Sequence, residues 1–263
     1  MKLKVSFIDA FTDTVFKGNY AAVIIIDEWL SDDLMQSIAT ENNLSETAFA
    51  KKIAHNSYEI RWFSPMTEIA FCGHATLATA YVLFAQNNRT NELTFSAKAV
   101  GELTVRQTDD NYIEMSFPSR KPHSVESVPQ ELLKALSISP KEVLLNQQAY
   151  FVIFENEKDV TSVEVDFELL KKLAPYDVVV TAASKEYDFI SRYFWPANGG
   201  NEDPVTGSIH AGLAPFWAEK LNKNSLVAYQ ASQRGGLLKC QVLEDKIIVS
   251  GKAVQYLEGF INV

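Results

Sequence analysis

Several side chains in this sequence have the chemistry to move a proton or to hold a charged ligand: Glu46, His74, Asp203 and Thr206. Glu46 lies in the stretch NLSETAF, where the alternation of a strand places it on the face that carries the apolar side chains. Glutamate is rarely found on such a face unless it is paired or reactive. A partly desolvated carboxyl can both accept and return a proton, so Glu46 is a candidate general acid/base. The alternative is a structural glutamate on an edge strand or in a surface ion pair.

The other candidate groups lie where two helices are predicted to begin. One helix opens at Gly73 and His74, and the other opens at Gly207 and Ser208, shortly after Asp203. The first turn of a helix carries free backbone N–H groups and a partial positive charge, so each start could bind an anion. An aspartate before a helix can also act simply as its cap, and a lone histidine is more often a satisfied core residue. We therefore predict a small anionic metabolite as the ligand.

The remaining motifs do not predict a cofactor. The histidines lack the HExxH spacing or any comparable ligand spacing, so no metal site is predicted. The glycine-rich segment 198–207 (NGGNEDPVTG) fits neither the dinucleotide fingerprint nor the P-loop. The two cysteines, Cys72 and Cys240, are too few for a disulfide framework and are interpreted as buried small apolar residues.

Composition and charge narrow the class of partner. The 263 residues carry a net charge of −9, and binding a phosphate backbone needs a concentrated basic face, so nucleic acid is not expected. No run approaches the ~18 apolar residues that can span a membrane. The opening MKLKVSFIDAF has a strand pattern and lacks the features of a signal peptide. We expect a cytoplasmic protein without a membrane partner.

The elements that must position these groups occur twice along the chain. The strings RWFSP at 61–65 and RYFWP at 192–196 are each followed by a loop with glycine and acidic residues, a helix and a two-stranded hairpin. The first helix, CGHATLATAYVLFA, is apolar or small on all sides, so a curved sheet is expected to wrap around it. The second helix contains Pro215, which removes a backbone donor and is expected to kink or break it.

The rest of the sequence is rich in strands. The segments VSFIDAF, AAVIIID, SETAFAKKI and SYEIRWF have the alternation of strands, whereas helices are predicted to open at 31–33 and to cover 129–136. The proline-rich segment 118–129 is interpreted as a linker. These features predict an α+β fold of two similar lobes, 1–118 with the CGHAT helix and 119–263 with the EDPVTGS helix, with a cleft for the ligand between the lobes. The final strand can return to the first lobe.

The motifs that carry these candidate residues resemble those of one known family. They are DAFTD at 9–13 with Gly18 and Asn19, NLSETAF at 43–49, CGHAT at 72–76, EDPVTGS at 202–208 and QASQRGG at 230–236. In this order they resemble the PhzF family, the phenazine-biosynthesis isomerases and their relatives, which share the fold of diaminopimelate epimerase. The resemblance implies two lobes, each a mixed sheet or barrel wrapped around a central helix, and a homodimer as the usual assembly.

The resemblance also implies roles for individual residues. In the isomerase that names the family, the glutamate of NLSETAF shifts a proton between ring carbons of trans-2,3-dihydro-3-hydroxyanthranilate without a cofactor; here that residue is Glu46. His74 and Asp203 are implied as further catalytic residues. The substrate-binding residues implied are Asn19, Gly73, Gly207 and Ser208, which would hold the carboxylate and orient the ring.

Two departures from the family patterns bear on the activity. Tyr20 stands where the family has the proline of GNPAAV, near the expected cleft, so the substrate is not predicted by family membership alone. Cys72 falls where diaminopimelate epimerase has one catalytic cysteine, but Pro204 is interpreted as replacing the second, which disfavours a two-thiol racemisation. The alternatives are an epimerase or racemase that uses Cys72 and Glu46 as opposed bases, and a homologue that binds a metabolite without turnover.

Overall fold

The computed structural model describes residues 1–87 and 89–263 and divides them into two units. The first unit contains Met1–Ser116 together with Ser250–Val263, and the second contains Phe117–Val249. The last strand of the chain therefore belongs to the first unit. None of the helices described is both long enough and apolar enough to cross a membrane.

The secondary structure consists of short helices among many strands. The strands are β1 (Lys2–Ala10), β2 (Asn19–Ile26), β3 (Glu46–Ala54), β4 (Ser57–Phe63), β5 (Glu68–Ile69), β6 (Glu92–Ala97), β7 (Gly101–Gln107), β8 (Ile113–Pro118), β9 (His123–Ser124), β10 (Glu142–Leu145), β11 (Ala149–Ile153), β12 (Asp177–Ala183), β13 (Phe189–Trp195), β14 (Gly200–Asp203), β15 (Ser225–Gln230), β16 (Gly236–Val242), β17 (Lys246–Gly251) and β18 (Ala253–Asn262). The helices are α1 (Asp32–Asn42), α2 (Gly73–Gln86), α3 (Gln130–Ala135), α4 (Glu157–Ser162), α5 (Phe167–Leu170) and α6 (His210–Leu221), with a 3₁₀ turn at Lys171–Leu173.

The first unit has a mixed sheet that surrounds α2. Strand β1 pairs antiparallel with β2 and β18, β2 pairs parallel with β3, and β3 pairs antiparallel with β4. Strand β4 pairs antiparallel with β5 and parallel with β6, and β6, β7 and β8 follow in antiparallel order. Helix α2 contacts β1, β2, β3, β7 and β18, and its buried residues lie on every side of the helix. The prediction of a sheet wrapped around an apolar helix is confirmed.

The second unit repeats this order of strand pairing. Strand β10 is antiparallel to β11, β11 is parallel to β12, and β12 is antiparallel to β13. Strand β13 then pairs antiparallel with β14 and parallel with β15, which is antiparallel to β16. Parallel and antiparallel pairs thus alternate as they do from β1 to β7. The internal repeat predicted from the two arginine-containing strings extends to the pairing of nearly every strand.

Each unit also has an apolar core beside its sheet. In the first unit α1 supplies Met35 and Ile38 to a cluster that includes Ile24, Phe49 and Phe63. This helix begins where Ser31 accepts a hydrogen bond from the Leu34 N–H, as its sequence predicts. In the second unit the cluster is built from the three short helices α3, α4 and α5 and from β11, β12 and β13. The two cores fix the strands whose ends carry the candidate residues.

Helix α6 differs from its prediction in two respects. It begins at His210 rather than at Gly207, because the residues before it form a tighter turn in which the His210 N–H bonds to the Gly207 carbonyl at 3.2 Å. It also continues through Pro215 without a break. Proline cannot donate to the carbonyl of Ala211, and the backbone N–H of Arg120 bonds to that carbonyl instead, at 2.9 Å. The lost helical bond is therefore replaced from outside the helix.

The arginine of each repeated string secures the short strand that follows it. Arg61 on β4 makes two hydrogen bonds to Glu68 on β5, both at 2.7 Å, and Arg192 on β13 makes two to Glu202 on β14, at 2.7 and 2.9 Å. Each guanidinium also lies over the phenylalanine two residues further along its own strand, at 5.2 and 5.0 Å from the ring centre. Arg192 is the less exposed of the two and donates in addition to the carbonyl of Val163 at 3.1 Å.

We expect Arg192→Ala to destabilise the protein more than Arg61→Ala does. The first change removes a half-buried, bidentate ion pair and leaves Glu202 without its partner, which should lower the free energy of unfolding by about 3 kcal/mol. The second removes ion pairs to Glu68 and Asp32, whose carboxylates are more exposed to solvent, and should cost about 1 kcal/mol. Urea denaturation of both variants checks the order, and equal losses would contradict it.

Candidate active site

Glu46 is the first residue of β3, and the chain reaches it through a sharp reversal after α1. Asn43 ends that helix in a left-handed conformation, with a φ of 48°, and the parallel pairing of β2 and β3 then places Glu46 opposite Ala21. The first five residues of β3 are buried, and Glu46 itself is only 6% exposed. The predicted inward orientation of this carboxylate is what the structure shows.

His74 lies directly against this carboxylate. Its Nε2 is 2.8 Å from Oε2 of Glu46, although the two are not aligned as a hydrogen bond, so the contact is that of a close ion pair. The sulfur of Cys72 is 3.4 Å from Nδ1 of the same ring. All three residues are buried, and the carboxylate oxygen, the sulfur and an imidazole nitrogen all lie within 4.8 Å of one another. The first turn of α2 thus brings an imidazole and a thiol to the head of β3.

Asn19 holds the other side of the imidazole. Its Nδ2 is 3.1 Å from Nδ1 of His74, and its Oδ1 accepts a hydrogen bond from Ser45 at 3.2 Å. Gly18 makes this position possible: its φ is +63°, and a Cβ there would lie 2.1 Å from the Ala10 carbonyl oxygen. Asn19 is fully buried, and the partners seen for its side chain are His74 and Ser45. Its predicted role in binding substrate remains a prediction.

The ionisation of this cluster follows from its burial. Burial, followed by the charge of Glu46, raises the pKa of the Cys72 thiol to about 11, so the thiol is neutral at neutral pH. Burial lowers the pKa of His74, but the neighbouring Cys72 sulfur and the Glu46 carboxylate outweigh it and raise that pKa well above 6.5. Because the thiol is neutral, we attribute the raised pKa to the Glu46 carboxylate. The cluster therefore places a protonated imidazole against a buried carboxylate.

Asp203 and Thr206 form a compact turn in the second unit, ahead of α6. The hydroxyl of Thr206 donates to Oδ2 of Asp203. Gln230, which is fully buried, spans the turn: its Nε2 donates to the Asp203 carbonyl at 2.8 Å, and its Oε1 accepts from the Thr206 N–H at 2.9 Å. Asp203 is half-buried, so its carboxylate is held in place and still reaches the surface.

Gly207 and Ser208 follow this turn directly. Gly207 is buried, whereas Ser208 is half-buried and its Oγ accepts a hydrogen bond from Nε2 of Gln148 at 3.0 Å. The structure thus brings Glu46, His74, Asn19 and Gly73 together in the first unit, and Asp203, Gly207 and Ser208 together in the second. The candidate residues within each unit therefore lie close together, and the expectation of one shared ligand site stays a prediction.

Two residues that hold the second cluster were not predicted from the sequence. Gln230 opens the QASQRGG motif, which marks it as notable, but nothing in the spacing indicates that its side chain bonds to the turn at 203–206. Gln148 lies in the run NQQAY, which carries no comparable signal. Both contacts join segments that are far apart along the chain.

The internal repeat also changes the assignment made for Pro204. Cys72 directly precedes the glycine at which α2 begins, and Thr206 directly precedes the glycine of the turn into α6. Thr206, rather than Pro204, is therefore the residue of the second unit that corresponds to Cys72. The other cysteine, Cys240, is buried on β16, so the interpretation of both cysteines as buried residues is confirmed.

We expect Gln230→Leu to lower the free energy of unfolding by about 2 to 3 kcal/mol. The substitution keeps a side chain of similar size but leaves the Asp203 carbonyl and the Thr206 N–H without their partner. Gln255→Leu, at an exposed position on β18, is the matched control and should change stability little. Thermal or urea denaturation gives the comparison, and equal stability of the two variants would contradict this role of Gln230.

Comparison with known proteins identifies relatives along the whole chain. A family model described as phenazine biosynthesis-like protein, PhzC-PhzF, matches residues 8–259. An uncharacterized isomerase of Pseudomonas aeruginosa is 44% identical, with 100% of both chains covered. The crystal structure of a PhzF-family phenazine biosynthesis protein from Enterococcus faecalis is 42% identical, has a TM-score of 0.95 and also covers 100% of both chains.

A more distant structure shows how widely the fold is shared. A hydroxyproline epimerase from Agrobacterium vitis is 10% identical, with a TM-score of 0.62 over 99% of this chain and 92% of that one. At this identity the likeness concerns the fold alone, and it confirms the predicted epimerase-like α+β fold. The match of the family model over nearly the entire sequence, together with the close relatives, shows that the chain belongs to the phenazine biosynthesis-like PhzC-PhzF family.

Proposed function

We propose that this protein is a cofactor-independent isomerase that moves a proton on a small carboxylate-bearing metabolite, with Glu46 as the acid/base. The observation that carries the proposal is the buried contact of 2.8 Å between Glu46 and His74. A carboxylate removed from water in this way has few structural uses and is suited to proton transfer. The names of relatives such as the uncharacterized isomerase of Pseudomonas aeruginosa support the same reaction class.

The proposed reaction uses one carboxyl group twice. The Glu46 carboxylate takes a proton from an activated carbon of the substrate, and the electron pair of the broken C–H bond moves into the adjoining unsaturated system. The protonated Glu46 then returns the proton to another carbon on the same face. His74, whose pKa is raised, keeps its positive charge beside the Glu46 carboxylate.

The remaining predicted residues have either catalytic or binding roles in this proposal. We assign Asp203 to catalysis beside Glu46 and His74, and Ser208 with the amides of Gly73 and Gly207 to the substrate carboxylate. Asn19 is proposed to act through the His74 ring that it touches. A substrate resembling trans-2,3-dihydro-3-hydroxyanthranilate and a homodimer complete the proposal and rest on the resemblance. A cytoplasmic location is proposed because both cysteines are free.

We expect Glu46→Gln to abolish proton transfer. The protein is incubated in heavy water with trans-2,3-dihydro-3-hydroxyanthranilate and with a panel of small amino and hydroxy acids, and both deuterium uptake and product formation are followed. Loss of the acid/base should reduce the rate by about a hundredfold to ten-thousandfold. Glu28→Gln, which changes an exposed glutamate of the same unit, is the control and should keep full activity.

Full turnover by the Glu46→Gln protein would overturn the acid/base role. If the unmodified protein binds a member of the panel but neither exchanges deuterium nor forms product, the chain is instead a metabolite-binding homologue without turnover.

An epimerase or racemase that uses Cys72 and Glu46 as opposed bases is the second candidate. The proximity of the Cys72 sulfur to His74 favours it, because a protonated imidazole at 3.4 Å stabilises a thiolate. The raised pKa of Cys72, about 11, works against it. Under our proposal Cys72→Ala should retain most of the activity, whereas under the alternative it should lose about a hundredfold or more. Measuring kcat of this variant on the same substrate separates the two reactions.

A further inference from the structure

A chain of hydrogen bonds leads away from Ser208 into the second unit. Nε2 of Gln148 donates to Oγ of Ser208 and to the hydroxyl oxygen of Tyr193, both at 3.0 Å. The Tyr193 hydroxyl donates in turn to Oδ2 of Asp177. Nδ2 of Asn198 donates to the other oxygen of Asp177 at 2.7 Å. Ser208 is thus the end of a hydrogen-bonded chain that contains four further side chains, those of Gln148, Tyr193, Asp177 and Asn198.

The direction of each bond in this chain is determined by Asp177. Burial raises the pKa of Asp177, and the hydrogen bonds from Tyr193 and Asn198 oppose that rise. In its ionised form this carboxylate can only accept, so the Tyr193 hydrogen points towards Asp177 and the Tyr193 oxygen accepts from Gln148. Burial and the charge of Asp177 raise the pKa of Tyr193 well above 10, so the phenol keeps its proton. The amide of Gln148 must therefore turn its NH₂ group towards the tyrosine, and the second hydrogen of that group reaches Ser208.

Gln148 is also fixed through its backbone. Its N–H donates to Oδ1 of Asn146 at 2.8 Å, and its carbonyl accepts from the Asp177 N–H at 3.1 Å. Both ends of the residue are thus held before any ligand arrives. A preorganised group of this kind loses little freedom on binding, so its full effect is expressed in affinity.

The consequence for Ser208 is that its own hydrogen must point elsewhere. A serine hydroxyl has one hydrogen, and because the oxygen accepts from Gln148, that hydrogen is directed away from the amide. Within residues 1–87 and 89–263 no protein group accepts it, and Ser208 is half-buried rather than enclosed. The serine is therefore set as a hydrogen-bond donor to a ligand.

We propose that Gln148 is a positioning residue that makes Ser208 a dedicated donor and thereby selects a carboxylate over an uncharged group. The inference rests on the proposed function, in which Ser208 binds the substrate carboxylate. A donor aimed at an anion forms a charge-assisted bond, which is about twice as strong as a neutral one. If residue 148 were a carboxylate, Ser208 would donate to it and would no longer face the ligand.

The test measures binding rather than turnover. Isothermal titration calorimetry of the full-length protein with 3-hydroxyanthranilate, an aromatic carboxylate, is compared with 3-hydroxyanthranilamide, its uncharged counterpart. The variants are Gln148→Leu, Gln148→Glu, Ser208→Ala and the double variant Gln148→Leu with Ser208→Ala. Gln147→Leu, at the neighbouring exposed position, is the matched control. Circular dichroism identifies any variant that does not fold.

We expect Gln148→Leu to weaken binding of the carboxylate by about tenfold and binding of the carboxamide by only about threefold, because a neutral hydrogen bond is about half as strong as a charge-assisted one. Gln148→Glu should weaken the carboxylate further, because it reverses the serine hydroxyl and adds a like charge. In the Ser208→Ala background the change at residue 148 should have no further effect, since the two residues act as one unit. Gln147→Leu should bind as the unmodified protein does.

Unchanged carboxylate affinity in both folded variants of Gln148 would overturn the inference and leave the proposed function standing. Equal losses for carboxylate and carboxamide would also overturn it, because Gln148 would then support the fold and not the choice of charge. If the unmodified protein binds and turns over none of the proposed substrates, the proposed function fails and the inference fails with it. If Gln148→Leu does not fold, the isosteric Gln148→Glu decides.

Discussion

A carboxylate is stable at the head of β3 only because an imidazole lies 2.8 Å from it, and much of the first unit serves to keep the two groups together. The parallel pairing of β2 and β3 fixes where Glu46 emerges, and α2, enclosed by strands, fixes His74. Asn19 then prevents the ring from turning away. Three separate elements thus keep the buried carboxylate and imidazole at a defined separation.

The second unit has the same order of strand pairing but a different chemistry where its main helix begins. The position of His74 in the first helix corresponds to that of Ser208 in the turn before α6, and the position of Cys72 corresponds to that of Thr206. Instead of a charged pair, the second unit has neutral amides: Gln230 holds the turn before the helix, and Gln148 holds the serine. One architecture thus carries two kinds of polar site, one suited to moving protons and the other to orienting hydrogen-bond donors.

The sequence predicts whatever depends on local pattern or on repetition. The alternation of apolar and polar residues predicts the early strands, and the apolar composition of α2 predicts that a sheet encloses it. The repeated arginine-containing strings indicate that the second unit repeats the first. Motif spacing also singles out Glu46 and His74. The contacts of Gln148 and Gln230 could not be predicted in this way, because a glutamine has no preferred partner and each of these reaches a segment more than twenty residues away. That α6 continues through Pro215 without a break could not be predicted either, because it depends on a hydrogen bond from Arg120, a residue far away along the chain.

The bond from Arg120 to the carbonyl of Ala211 makes α6 a helix that local sequence alone cannot complete. As an isolated peptide, this segment would fray at Pro215, since the carbonyl one turn earlier would have only water as its partner. The segment around Arg120, itself held by Asn146 at 2.8 Å, supplies the missing donor from some ninety residues earlier in the chain. Formation of this helix and docking of that segment are thus one cooperative event of high contact order, and helicity here reports tertiary folding.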